Sequence, residues 1–231
     1  MAVKKVSRKE LLKGPDEFQT VSGKAVLFYK AHTTLFSYIG VGIVILVCVY
    51  LGINTYMKYI NKKGQTAYND AYYALADNLN AEEGKGDLKQ PIELFEKVKD
   101  KYSLSKASRL ALPELAHLKF REKKYDEAIS LYKEYLADAR DNPPYEDMTM
   151  LALASCYEEK GDLKEAADLL KKLLDDPTFF FEEQAMLNLA RVYRLSNQPE
   201  KSHEILKKFA DKYQSSPFLP QVKAQLQAYG S

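Results

Sequence analysis

The residues that could hold a metal or act as a nucleophile are few, and their spacing predicts no active site. His32, His117 and His203 have no partner at i+4 and no Cys or carboxylate at ligand spacing, which a zinc site on a helix would need. Cys48 lies in the longest apolar run and Cys156 on a predicted helix of the later chain. We therefore predict no disulfide between them, no metal, no cofactor and no catalytic residue.

A glycine-dense turn and several pairs of adjacent carboxylates were the remaining candidates for chemistry. Gly84-Lys85-Gly86 lacks the preceding strand and the GK[ST] ending of a phosphate-binding loop, so we interpret it as a turn. Glu158-Glu159 and similar pairs fall at predicted helix ends or on polar faces, where solvation is the ordinary explanation. The chain is predicted to be no enzyme and to bind no small-molecule substrate.

Composition and charge narrow the class of protein further. A chain with 46% hydrophobic and 29% charged residues is typical of a globular protein with a real core. Residues 1–57 carry seven Lys/Arg against three Asp/Glu, whereas residues 64–231 carry 24 against 29. Because nucleic acid attracts basic surfaces, this mildly acidic longer part predicts no nucleic-acid partner.

One segment is long and apolar enough to cross a lipid bilayer. No Asp, Glu, Lys or Arg occurs between Ala31 and Met57, and about 20 apolar residues span a membrane. We predict a transmembrane helix at residues 31–57. A buried core helix and a cleaved signal peptide are the alternatives, but the long charged region before the run and the missing small-x-small cleavage pattern favour a retained anchor.

The basic tail at residues 1–30 sets the predicted orientation. Seven Lys/Arg lie in the thirty residues before the span and four in the thirty after it, and positive charge marks the cytoplasmic side. The three lysines directly after the span act in the opposite sense. Within the tail, apolar residues recur at spacings of three and four from Phe18 to Phe28. This amphipathic segment either lies in the headgroup region or continues into the span as one helix.

The later chain contains an internal repeat with offsets of 38 and 36 residues. Residues 112–129, 150–167 and 186–203 align without gaps, and in each a Leu-Ala pair precedes a second small residue by twelve positions. Two helices that cross closely need a small side chain on each side. The predicted pairs at the crossings are Ala116 with Ala128, Ala154 with Ala166, and Ala190 with Ser202.

Weaker signals extend the repeat in both directions. Residues 86–98 echo a turn and a second helix, which predicts a divergent first hairpin whose first helix is Gln65 to Leu79. After the last repeat, Ser216 as N-cap and Pro217 at the first helical position predict a capping helix. The predicted fold is all-α: one N-terminal transmembrane helix, then at residues 64–231 a solenoid of about four helical hairpins plus a C-terminal capping helix.

This pattern resembles the tetratricopeptide repeat (TPR) family, most specifically in Leu153–Tyr157 followed by Gly161–Ala166. Lys119 stands where the family has Tyr, so the first aligned unit departs from the pattern. The resemblance implies a protein–protein interaction scaffold whose first helices line a groove for an extended peptide or a helix. The family's groove positions fall on His117, Phe120, Arg121, Leu151, Ser155, Glu158, Glu159, Leu187, Arg191, Arg194 and Leu195.

The layout of a basic tail, one span and a repeat array also resembles the single-pass ancillary TPR subunit of the bacterial Sec translocon. That resemblance implies a bacterial inner-membrane protein with its repeats in the periplasm, which assists secretion or folding of exported proteins beside the translocon and periplasmic chaperones. Two other interpretations stay open. One is a structural assembly factor or accessory subunit of another envelope complex, and the other is a regulatory scaffold that faces the cytoplasm.

Overall fold

Residues 17–80, 87–137 and 143–228 are described by a computed structural model, and within these ranges the chain forms ten helices and no strand. The first sixteen residues of the basic tail and the turn at Gly84-Lys85-Gly86 lie outside the described residues. The chain divides into two units, Met1–Lys58 and Tyr59–Ser231. The all-helical prediction is confirmed.

The first unit consists of α1 (Glu17–Ala31) and the beginning of α2 (Thr33–Asn80). Only His32 separates them, and its amide donates to Phe28 O while its carbonyl accepts from the Phe36 amide. The main-chain hydrogen bonds therefore continue across His32. Of the helices in the described ranges, one is long and apolar enough to cross a membrane, with a mean hydropathy of 2.4 over its most apolar 18 residues and none of that window buried.

The second unit is an array of antiparallel helices. It starts with the last part of α2, which packs through Ala71 and Leu75 onto Phe95 and Val98 of the next helix. These four side chains are all at most 7% exposed, as the divergent first hairpin requires. The following helices are α3 (Lys89–Lys101), α4 (Lys106–Arg121), α5 (Tyr125–Ala137), α6 (Pro143–Lys160), α7 (Leu163–Leu174), α8 (Glu182–Leu195), α9 (Pro199–Lys212) and α10 (Leu219–Ala228).

Small side chains hold the helices of each hairpin close together. All six residues predicted at the crossings are buried, and in the third aligned unit the Ser202 hydroxyl donates to Ala190 O over 2.8 Å. Larger apolar side chains fill the layers between hairpins, with Leu170 and Leu189 in one layer and Leu206 and Phe209 in the next. Full burial of such a side chain contributes about 1.5–3 kcal/mol.

The turns within the hairpins share one backbone conformation, as the helix crossings share small side chains. Lys123, Gly161 and Asn197 have φ angles of 61°, 92° and 57°, and they are separated by the repeat offsets of the sequence. After each, the next amide donates to the carbonyl five residues earlier, over 2.8 to 2.9 Å. This is the Schellman arrangement that ends a helix with a left-handed residue, and glycine occupies it in only one of the three turns.

Lys119 explains how the first aligned unit departs from the repeat pattern without losing the fold. It is buried, and its Nζ lies 2.9 Å from Glu96 Oε1 on α3 and 3.3 Å from Glu127 Oε2 on α5. Desolvation lowers the pKa of Lys119, but the bonds to Glu96 and Glu127 raise it by more. A charged lysine therefore joins three helices where an aromatic ring was expected.

The capping helix begins later than the sequence predicted. Ser216 and Pro217 belong to a turn closed by the Leu219 amide donating to Ser216 O, and α10 starts at Leu219. The Ser216 hydroxyl accepts from the Phe218 amide and donates to Glu183 Oε2. Because this side chain is engaged by α8, it stabilises the turn instead of capping the helix.

Candidate peptide-binding groove

The first helices of successive hairpins form one face of the repeat unit, which we call the groove face. α4 contacts α6, and α6 contacts α8, so side chains from neighbouring hairpins meet there. The eleven residues predicted to line the groove are distributed over these three helices. The structure leaves six of them exposed: His117, Arg121, Glu159, Arg191, Arg194 and Leu195.

Glu158 and Arg191 are brought together across α6 and α8. The Arg191 Nε and one terminal nitrogen donate to the two Glu158 carboxylate oxygens over 2.6 and 2.9 Å. The Glu158 side chain is only 8% exposed, so this bidentate pair satisfies a desolvated carboxylate. Arg191 also donates to Asn188 Oδ1 over 3.3 Å. This part of the groove face is closed by its own ion pair.

Several other predicted residues serve the fold. Leu151 is buried in the core between α6, α7 and α8, and the Ser155 hydroxyl donates to Leu151 O over 3.1 Å. Phe120 packs its ring against Tyr125 at a centroid distance of 5.6 Å. Desolvation and the nearby Glu159 carboxylate raise the pKa of Tyr125. These contacts use the side chains inside one hairpin or between neighbours, so they are poorly placed to serve a ligand.

The predicted residues that keep free surface lie nearer the ends of the helices. Arg194 is exposed and Leu195 is 54% exposed at the end of α8, and Leu187 is half-buried. Partial desolvation and the positive charge of Arg121 lower the pKa of His117. At neutral pH His117 therefore presents a neutral imidazole, which can donate or accept a hydrogen bond.

A polar centre that the sequence did not predict lies one turn before His117, at Glu114. The hydroxyls of Tyr68 on α2 and Tyr145 on α6 face its carboxylate. Desolvation raises the pKa of Glu114, and the two tyrosine hydroxyls offset part of that rise. Burial raises the pKa of Tyr145 to about 12, so this hydroxyl is a donor at neutral pH. Three consecutive hairpins thus contribute to one centre.

Glu114 and Tyr145 line two neighbouring depressions of the groove face. The larger has a volume of about 910 Å³ and is also lined by Tyr68, Arg109 and Tyr135. The smaller has about 130 Å³ and extends towards Pro113 and Met148. The larger volume is within the range of sites that hold small ligands or peptide side chains. The groove face is therefore open around Glu114 and closed at Glu158.

The sequence contained one signal for this centre. Glu114 and His117 are three residues apart on a helix, and so share a face. The family's groove positions include His117 and do not include Glu114. Tyr68 and Tyr145 belong to other hairpins, and Tyr145 precedes its aligned unit, so no spacing within one repeat links them to Glu114.

Among the described residues, no group of three or more His, Cys, Asp or Glu is placed to hold a metal ion. The protein is thus, by its architecture, a helical-hairpin repeat protein with a groove face.

Comparison with known proteins identifies the family of this repeat array. A family model described as a tetratricopeptide repeat-like domain matches residues 28–175, and a second, described as a tetratricopeptide repeat, matches residues 184–216. The chain belongs to the tetratricopeptide repeat-like family, and the resemblance inferred from the sequence is confirmed. Its members are typically interaction scaffolds, not enzymes. No match was found among curated proteins.

Solved structures share the fold. A kinesin-light-chain candidate from Podosopora anserina with nearly identical TPR-like repeats has a TM-score of 0.57 and 18% identity, over 74% of this chain and 88% of that one. A tetratricopeptide repeat protein from Parabacteroides merdae has a TM-score of 0.55 and 20% identity, over 70% of this chain and 59% of that one. At these identities the similarity concerns the fold alone.

Proposed function

We propose that this protein is a membrane-anchored scaffold that binds segments of partner polypeptides on its groove face, beside the Sec translocon of a bacterial inner membrane. The repeat family supports the coarser part of this statement, a protein–protein interaction scaffold. The observation that carries the proposal is the combination, in one chain, of an exposed apolar helix and an open, tyrosine-lined groove face.

The anchor is supported by the chemistry of α2. Its apolar side chains, such as Ile43, Leu46 and Tyr50, are 56 to 69% exposed, and that much contiguous apolar surface is unfavourable in water. The match of the repeat-family model begins at residue 28 and so includes the apolar run. We assign residues 1–30 to a basic cytoplasmic tail with an amphipathic segment, 31–57 to the membrane span and 64–231 to the repeat domain.

The open part of the groove face supports polypeptide binding. Glu114, His117 and the exposed residues at the end of α8 offer charged, polar and apolar contacts on one face. Stacked helical hairpins bind extended peptides or helices through such surfaces. Five of the predicted residues keep free or partly free surface outside those contacts and remain in the proposed groove: His117, Arg121, Leu187, Arg194 and Leu195.

Affinity purification of the tagged full chain in mild detergent, followed by mass spectrometry, tests the function. We expect translocon subunits or periplasmic chaperones to be recovered, and we expect the double variant His117→Ala, Arg194→Ala to lose them. Lys164→Ala, on the exposed side of α7, is the matched control. Recovery of a stable complex of another envelope machine, unchanged in the groove variant, would instead support the assembly-factor interpretation.

Reporter fusions test the orientation. If the repeat domain is periplasmic, a C-terminal alkaline phosphatase fusion is active and a C-terminal green fluorescent protein fusion is dark. The excess of Lys/Arg before the span is the reason to expect this result. The reverse pattern would place the groove face in the cytoplasm and favour a cytoplasmic regulatory scaffold.

A further inference from the structure

We propose that the cavity around Glu114 binds a lysine or arginine side chain of the partner polypeptide, with the Glu114 carboxylate as its counter-ion. This inference rests on the proposed function, since it names the kind of segment that the groove face selects.

The first argument is the unbalanced charge of Glu114. Among the described residues, its carboxylate is in no ion pair, and the groups that act on it are the hydroxyls of Tyr68 and Tyr145, neither of which is a cation. A desolvated carboxylate normally has a cationic partner, as Glu158 has in Arg191 on the same face. Burial raises the pKa of Glu114, and among the described residues no cation offsets this desolvation. A cation that enters the cavity would offset it.

The second argument is the aromatic lining. Tyr68 stacks on Tyr72 at a centroid distance of 6.4 Å, and Tyr145 meets the Tyr135 ring edge-on at 5.7 Å. Aromatic faces next to a carboxylate attract ammonium and guanidinium groups through the ring quadrupole. The exposed Leu104 also lines the cavity, where it would contact the aliphatic stem of a long cationic side chain.

The third argument distinguishes a polypeptide from a free cation. Arg109 also lines the cavity, but its guanidinium lies over the Tyr135 ring, with Cζ 5.1 Å from the centroid. Its Nε is buried and has no hydrogen-bond partner among the described residues. Because that nitrogen is closed to solvent, Arg109 forms part of the cavity wall and its Nε is not a contact for a ligand. The cavity of about 910 Å³ is much larger than a metal ion or a small amine, whereas a polypeptide segment fills it and also carries the cation for Glu114.

A peptide array and a double-mutant cycle test the inference with the full chain in detergent. Overlapping short peptides that tile a bacterial alkaline phosphatase precursor are probed with the wild-type protein, Glu114→Gln and the control Glu165→Gln on α7. We expect Lys and Arg to be enriched in the peptides that wild type and the control bind. Glu114→Gln should lose that enrichment.

The strongest Lys-containing peptide is then synthesised with a terminal tryptophan, whose fluorescence reports binding because the protein has no Trp. Replacing the peptide Lys by Gln, or Glu114 by Gln, should each weaken binding about tenfold. The two changes together should cost little more than either alone, because they remove the same contact. Circular dichroism of Glu114→Gln, unchanged from wild type, shows that the variant is folded.

The outcomes separate this inference from the proposed function. Peptide binding without enrichment of Lys or Arg, or additive effects in the cycle, would overturn the role of Glu114 while the groove face remained a peptide site. If no peptide bound at all, the proposed function would be contradicted together with the inference.

Discussion

Two desolvated carboxylates on the groove face, Glu158 and Glu114, have different partners. The Glu158 carboxylate accepts from two nitrogens of Arg191 on the next hairpin, at 2.6 and 2.9 Å. Among the described residues, the Glu114 carboxylate is faced by tyrosine hydroxyls from the preceding and the following hairpins and by no cation. The charge of Glu158 is therefore neutralised within the protein. In our proposal, the charge of Glu114 is neutralised by a cationic side chain of the ligand.

The repeat alignment shows how few side chains make this difference. Ala152 and Asn188 occupy the positions equivalent to Glu114 in the next two units. Ala152 carries no polar group, and Asn188 Oδ1 accepts from Gln184 and Arg191. The same scaffold therefore becomes open or closed through substitutions on its first helices, while the crossings and turns stay alike.

The largest expected effect tests that common scaffold. Ala166 is fully buried at its crossing with Ala154, so Ala166→Leu should overpack the second aligned hairpin and lower the free energy of unfolding by about 1–3 kcal/mol. Thermal unfolding followed by circular dichroism measures it. Lys164→Leu, two residues away and exposed, is the control. Equal effects of the two variants would mean that the helix faces are assigned wrongly.

A smaller loss is expected beside the open end, at Gly64. A Cβ atom there would lie 2.6 Å from the Ser105 Cβ and closer still to its hydroxyl. Ser105 cannot move freely, because it is buried and accepts from the Ser108 amide at the start of α4. Gly64→Ala should cost about 1 kcal/mol and weaken peptide binding at the adjacent cavity.

Gln65→Ala, the exposed neighbour, should change neither stability nor binding. A Gly64→Ala variant as stable as wild type would show that α2 and the start of α4 approach each other less closely than described.

The scaffold could be predicted from the sequence because it depends on patterns within each repeat. Three features recur with the repeat offset: small residues such as Ala154 and Ala166, a turn such as that at Gly161, and the helical spacing of apolar residues. Local rules of packing and capping act on such patterns directly. The family and the all-helical fold followed from them.

The open site could not be predicted in the same way, because it depends on residues that do not repeat. The state of Glu114 is set by its burial and by Tyr68 and Tyr145, which the tertiary fold brings to it. In the sequence, Lys119 only departs from the repeat pattern. In the structure it forms ion pairs with Glu96 and Glu127 and so stabilises the packing of three helices. Whether a charged residue on a repeat helix has a structural or a binding role depends on its tertiary contacts.

Removing Arg191 should make the closed end resemble the open one. Arg191→Gln leaves the Glu158 carboxylate without its cation, and since Arg191 is 44% exposed the expected loss of stability is about 1 kcal/mol or less. The loss should shrink at high salt, which screens the pair. Urea unfolding at low and high salt measures it. Arg194→Gln serves as the control, and a loss that does not depend on salt would point to packing and not to charge.

The smallest change in stability is expected for Glu114→Gln, and its sign is the informative quantity. Because the folded state raises the pKa of Glu114, ionisation of this group begins to oppose folding as the pH rises above the ordinary carboxyl value, and does so fully once the pH exceeds the raised value. Glutamine carries no such charge, so at neutral pH the variant should be as stable as wild type or more stable. The difference should vanish as the pH falls below the ordinary carboxyl value of about 4.

Glu182→Gln provides a control of opposite sign, because the bond from Lys212 lowers the pKa of Glu182. That variant should be less stable at neutral pH and equal wild type in acid. Melting temperatures of the three proteins across this pH range measure both effects. If Glu114→Gln were the less stable variant at neutral pH, Glu114 would be a structural acceptor for Tyr68 and Tyr145, and the open end of the groove face would be as closed as the other.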